Sequence, residues 1–141
     1  MQLKRLKNNS SITVRKGGTD LLGYYYALLA KKQEELRRLI ECQSSLSEKQ
    51  SQFNENEHKC LEPELTATTW YGTLATSFDE IREAGIHTSY LEIAGAQFSA
   101  VFSAISNKIA SLNAEIESIK QTIADLLARE AEERARARAS K

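Results

Sequence analysis

Apolar residues in the second half of the chain recur with the period of a helix. Leu91, Ala94, Phe98, Phe102, Ile105, Ile109, Leu112, Ile116, Ile119, Ile123 and Leu126 follow one another at spacings of 3, 4, 4, 3, 4, 3, 4, 3, 4 and 3. Alternating threes and fours line one face of an α-helix and, sustained over about four repeats, make a heptad seam that demands a packing partner. The doubled four at Phe98 reads as a stutter, which locally relaxes left-handed supercoiling. Ala96, Ala100, Ser103, Ala110 and Ala114 lie off the seam, where small side chains favour helix and permit close approach.

The first half carries a weaker version of the same pattern. From Asp20 to about Leu61, the residues Leu22, Tyr25, Leu29, Leu36, Leu39, Leu46 and Phe53 keep three-four spacing, and Lys32, Gln43 and Gln50 fall on the same stripe. A stripe interrupted by polar residues predicts a helix that is stable only when something packs against it. Tyr25 fits this stripe, whereas Tyr24 and Tyr26 point elsewhere.

Between the halves lies "CLEPELTATTWYG". Pro63 biases its predecessor away from helix and donates no backbone hydrogen bond, so the first helix is expected to end near Leu61 or Glu62. Threonines and Gly72 then suit a connection, and a second pattern starts with Leu74, Phe78 and Ile81 on one face. Gly85 together with a Ser89–Glu92 capping box predicts a kink near Gly85–Ser89.

These elements specify an all-α fold: an antiparallel, coiled-coil-like helical hairpin. Helix 1 is expected over about 20–61, the connection over 62–72, helix 2 over about 73–128 and a polar, charged helical tail over 129–141. Residues 1–18, with Lys4, Arg5, Lys7, Arg15 and Lys16 before Gly17-Gly18, are expected to form a flexible basic arm. Trp70 is expected at the closed end of the hairpin, with Gly72 allowing the tight turn there. Two helices alone cover only part of each other, so the seam predicts a partner chain, either a second copy or a different helical protein.

Composition narrows the function. The chain has 141 residues, with 19 Lys and Arg balancing 19 Asp and Glu, which gives no overall electrostatic case for nucleic acid or anionic membrane. Basic residues do cluster at both ends, but Arg129, Arg134, Arg136 and Arg138 are diluted by Glu130, Glu132 and Glu133 and lack interleaved aromatics for base stacking. No apolar run approaches the roughly 20 residues of a membrane span. The basic start "MQLKRLKNNSSITVRKGG" has no apolar segment of the signal-peptide kind, so a cytoplasmic location is expected unless another export route is used. On one continuous helix, Cys42 and Cys60 would stand ~27 Å apart, too far for a disulfide. His58, Cys60 and Glu57 lack a second pair of ligands and read as a solvated helix surface rather than a metal site. His58 and His87 occupy different segments, no Gly-rich phosphate loop occurs, and no carboxylate pair sits on an apolar face. No catalytic residue, metal ligand or cofactor is therefore expected, and the chain does not read as an enzyme.

The Trp70-Tyr71-Gly72 turn midway between two long helices resembles that of the WXG-type proteins of type VII secretion. The closer resemblance is to the YwqH-like family, found beside LXG-type toxins in Gram-positive bacteria. "CLEPELTATTWYGTLATSFDEIREAGI" and "SNKIASLNAEIESIKQTIADL" carry it, with Pro63-Glu64-Leu65 and Phe78-Asp79 flanking the turn, over roughly residues 20–127. The resemblance implies a non-enzymatic helical hairpin that pairs with the N-terminal helical region of an LXG-type toxin, or with another small helical protein, and assists its export. It implies a cytoplasmic location before any secretion. Many such secreted pairs carry a Tyr-x-x-x-Asp/Glu signal after the second helix, whereas the last tyrosine here is Tyr90; the signal is then expected on the partner, or the chain acts as an intracellular chaperone. The expected turn residues are Pro63, Trp70 and Gly72, and the expected packing and partner seam runs through Leu91, Phe98, Phe102, Ile105, Ile109, Leu112, Ile116, Ile119, Ile123 and Leu126. The competing readings are a coiled-coil scaffold that associates with itself and, further off, a nucleic-acid binder acting through the basic ends.

Overall fold

A computed structural model describes residues 2–66, 68 and 70–141, with side chains from residue 20 onward. Helix α1 spans Gln2–Glu55, followed by a 3-10 turn at Glu57–Leu61. After the connection come α2 (Thr73–Ile81), a π-helical segment (Arg82–His87), α3 (Thr88–Glu92), a second π-helical segment (Ile93–Gln97) and α4 (Phe98–Ala139). No strand occurs among the described residues. The chain divides into two compact units, Leu39–Lys108 and the pair of segments Met1–Arg38 and Ile109–Lys141.

In the unit that contains both chain ends, segments of α1 and α4 pair, and most of the buried apolar residues lie here. Leu112, Ile116, Ile119 and Ile123 are buried, Leu112 to 1% exposure. The facing stripe on α1 is half-buried throughout: Leu22, Tyr25, Leu29, Lys32 and Leu36. Tyr24 and Tyr26 are exposed, and Tyr24 meets Tyr25 edge-on with ring centroids 5.3 Å apart. Burying an aliphatic side chain of this size is worth about 1.5–3 kcal/mol, so the seam from Leu112 to Ile123 dominates this unit. Lys32, the polar interruption of the stripe, crosses to Glu115 on α4 at 2.7 Å. That hydrogen bond is the main reason its ammonium titrates above the usual lysine value, against a smaller opposing desolvation.

In the other unit the two arms run antiparallel. Gln43 reaches Ser106, Gln50 reaches the Ala94 carbonyl, and the Tyr90 hydroxyl reaches the Phe53 carbonyl. Positions rising along α1 thus meet positions falling along the returning arm. Ile105, Ala75 and Arg82 are its buried residues. The all-α class and the antiparallel pairing expected from the sequence are both present.

Local details differ from the sequence-based expectation in three places. The backbone of α1 starts at Gln2 and takes in Gly17 and Gly18, in the segment expected to be a flexible arm. Glycine inside a helix costs about 1 kcal/mol relative to alanine, which weakens a helix without forbidding it; the side chains of this segment lie outside the described residues. The α-helix ends at Glu55, well short of the Leu61 or Glu62 expected from Pro63, and a 3-10 turn over Glu57–Leu61 takes up the rest; at the switch the Asn56 backbone N–H is shared between the Gln52 and Phe53 carbonyls and its Nδ2 donates to the Gln52 carbonyl. Glu62 is then extended, at φ −89° and ψ 145°, as a residue before proline should be.

The third place is Gly85–Ser89. The irregularity expected near Gly85–Ser89 is present, but as a π turn over Arg82–His87 rather than a break with a fresh cap at Ser89: the backbone stays right-handed and widens. Thr88 closes that turn, since its N–H and its Oγ1 both donate to the Glu83 carbonyl. The second π turn, Ile93–Gln97, immediately precedes Phe98, where the apolar spacing doubles its four. A π turn takes up an additional residue within the helix, so it absorbs this irregularity locally.

Replacing Leu112 by Ala should cost about 2–5 kcal/mol, read as a lowered urea midpoint by circular dichroism. Ile40→Ala, at a site 48% exposed, should stay within about 0.5 kcal/mol of the parent protein.

Candidate functional site

The turn residues and what surrounds them lie within the Leu39–Lys108 unit. Gly72 caps α2 at φ 110° and ψ −172°, a conformation open to glycine and strained for side-chain-bearing residues. Its carbonyl accepts both the N–H and the Oγ1 of Thr76, each at 3.1 Å, so the helix starts on the glycine itself. Before it, the Trp70 N–H closes back onto the Thr66 carbonyl at 3.0 Å. The indole then lies against Phe78 of α2, ring centroids 5.8 Å apart and planes tilted by 54°.

Arg82 holds this arrangement from beneath. It is the one buried charged residue among those described, 7% exposed. Nη1 donates to the Pro63 carbonyl at 2.6 Å, Nη2 pairs with Asp79, and the guanidinium carbon stands 5.1 Å above the Phe78 ring. A planar fork of donors with a polarizable face suits this combination of carbonyl, carboxylate and ring. Arg82 Nε is left without a partner. The guanidinium therefore fastens the proline end of the connection to the helix that follows it, and Trp70 closes over the same Phe78. Neither Arg82 nor this linkage is visible in the apolar pattern, because Pro63 lies nineteen residues earlier. The local hint is the Asp79–Arg82 pair at i,i+3, a spacing at which side chains on one helix face meet.

The rest of the sequence-predicted seam divides between the units. Leu91 is 44% exposed, Phe98, Phe102, Ile109 and Leu126 are half-buried, and Ile105, Leu112, Ile116, Ile119 and Ile123 are buried within a single chain. Phe53 and Tyr90 stack at 3.8 Å with planes 9° apart, Phe53 meets Phe98 at 5.8 Å, and Phe98 meets Phe102 at 6.5 Å. Tilted aromatic pairs at the Phe53–Phe98 and Phe98–Phe102 distances add about 0.5–1.5 kcal/mol each beyond their burial. Phe102 also lines a shallow groove of about 450 Å³ with Ile40, Gln43, Ser44 and Ser47. Burial pushes the Tyr90 phenol up, with nearby Cys60 and Glu57 adding to the effect.

What remains open is the outer face of α2. Leu74 is 74% exposed, Ile81 65% and Tyr71 78%, and Phe78 and Trp70 are each more than 40% exposed. Positions 74, 78 and 81 share one helix face; Phe78 stands at its edge against Arg82 and Trp70, and Leu74 and Ile81 are the most exposed of the three. Contiguous exposed apolar surface of this sort marks binding sites more often than chance exposure does. Among the described residues no cluster of three or more His, Cys, Asp or Glu side chains could hold a metal ion, and no helix is long and apolar enough to cross a membrane.

Paired α-helical segments in each unit, a glycine-capped turn with a tryptophan laid over it and an uncovered apolar helix face beside it define a small all-α protein. The chain belongs to the YwqH-like family, whose model matches residues 26–128. That span includes the whole turn, Arg82, the exposed strip and the seam to Leu126. No curated protein and no solved structure matches the chain.

Arg82→Met keeps volume and removes the donors, leaving the Pro63 carbonyl and Asp79 without them. It should destabilise the protein by about 1.5–3 kcal/mol, the range for hydrogen bonds to a charged group, and change the emission of the single tryptophan. Arg82→Lys should recover only part of the loss, because an ammonium cannot reproduce the fork.

Proposed function

We propose that the chain is a non-enzymatic helical partner protein that pairs with the N-terminal helical region of an LXG-type toxin and serves its export by type VII secretion. Membership of the YwqH-like family supports the secretion context. The observation that carries the binding role is the exposed strip of α2 and its turn, Trp70, Tyr71, Leu74, Phe78 and Ile81.

Burial within the chain favours a contact surface other than the buried part of the seam. Ile105, Leu112, Ile116, Ile119 and Ile123 already pack inside the chain, so burial against a partner can gain little from them. The strip on α2 has its apolar area still to bury, and an amphipathic helix laid along Leu74, Phe78 and Ile81 is the simplest complement. Its anchor is Trp70, a residue type enriched at the centres of interfaces. On this reading the internal seam holds the helices in place, the Arg82 linkage fixes the turn, and α2 makes the contact.

Leu74→Asp and Ile81→Asp should leave the helical signal and urea midpoint of the isolated protein nearly unchanged. Each should weaken co-purification with the toxin's helical region by at least tenfold. Leu112→Asp should lose both fold and binding. Retained binding in Leu74→Asp and Ile81→Asp would place the partner elsewhere, and a stable dimer of the isolated chain that either substitution dissociates would favour self-association.

A further inference from the structure

His87 lies at the end of the first π-helical segment, its side chain 13% exposed. Nε2 is 2.9 Å from a carboxylate oxygen of Glu57, on the 3-10 turn, and Nδ1 is 2.9 Å from a carboxylate oxygen of Glu83, one turn earlier on its own segment. An ionised carboxylate only accepts hydrogen bonds. Both ring nitrogens must therefore carry a proton for both contacts to hold, and only the imidazolium does. A neutral ring would turn one lone pair towards a carboxylate.

We propose that His87 is a pH-set clamp, which as an imidazolium fastens the turn Glu57–Leu61 to the helix that returns from the connection and as a neutral ring releases it. Glu83 sits four residues back on the same element, so helix geometry holds that pair together whatever the charge. Glu57 belongs to a separate element, its side chain is 41% exposed, and it can turn to water when its donor is lost. The contact that opens is therefore the one between elements.

The other groups around the contact are held in pairs of their own. On the 3-10 turn His58 is engaged elsewhere, with Glu62 at 3.3 Å and the Glu55 carbonyl at 2.9 Å. Arg82 of the same π segment is committed to Pro63 and Asp79. From α3 comes Tyr90, whose hydroxyl is bound to the Phe53 carbonyl and whose ionisation burial has pushed further up, with Cys60 nearby. The hydrogen bond to Glu57, then that to Glu83, lifts the His87 imidazole above its usual value of 6.5, with desolvation opposing. A group raised on folding contributes stability that is complete below its unfolded value and fades as the pH climbs through its folded one. The clamp is thus closed in mildly acid solution and opens towards the alkaline side.

The chain has two histidines, so His58→Gln leaves His87 as the sole imidazole signal in an NMR titration. Its midpoint should lie above 6.5, and protection of the amides of residues 57–61, corrected for the intrinsic pH dependence of exchange, should fall through the same midpoint. Glu57→Gln should lower the midpoint and remove the pH dependence of protection. A midpoint at or below 6.5, protection that ignores pH, or an unchanged response in Glu57→Gln would overturn the clamp. The measurement needs no partner, so its outcome is independent of the toxin pairing.

Discussion

The register between the helical arms is the constraint on which the rest depends. An apolar heptad seam by itself is nearly indifferent to a slip of seven residues, since one aliphatic replaces another. The polar residues on the α1 stripe remove that freedom. Lys32 meets Glu115, Gln43 meets Ser106 and Gln50 meets the carbonyl of Ala94, and a slipped alignment would leave these half-buried groups without their partners. Unmatched polar groups at half-buried positions cost more than the matched contacts contribute, so their main effect is to exclude alternatives. Register in turn decides that Phe53 faces Tyr90 and that Glu57 faces His87.

The two arms divide their tasks accordingly. Apolar burial is concentrated on the returning arm, from Ile105 to Ile123, while the α1 stripe opposite remains half-buried throughout. The driving force and the specificity thus reside on different helices. Where the chain turns, neither device is available, because α2 is too short to extend the seam. There the connection relies on a single buried guanidinium, and a short helix retained mainly by one residue can keep an apolar face outward.

Much of this was legible in the residues. The spacing from Phe98 to Leu126 marks the inner face of α4, Pro63 and Gly72 bound the connection, and the stripe from Leu22 to Phe53 falls on half-buried residues of α1. Two kinds of information were not. Lys32, Gln43 and Gln50 read as weaknesses of the stripe, because a single helix cannot show that the opposite one will supply Glu115, Ser106 or the Ala94 carbonyl. Arg82 and His87 were illegible for a similar reason: their decisive partners, Pro63 and Glu57, lie nineteen and thirty residues away. The π turns left no trace beyond Gly85 and one doubled spacing, since backbone widening follows from packing on both sides rather than from local preference.

The two π turns at Arg82–His87 and Ile93–Gln97 bear on how such a chain can change length. Each holds one residue more than an α-helical turn would, in effect an insertion accommodated without breaking the helix. Loss of one residue inside either turn would let it revert to ordinary α geometry and leave everything downstream on its original face. The same loss within α4 would rotate each later seam residue by about 100°, away from its neighbours. The two π turns are thus the places in the helical arm where a length change and the inner face are uncoupled.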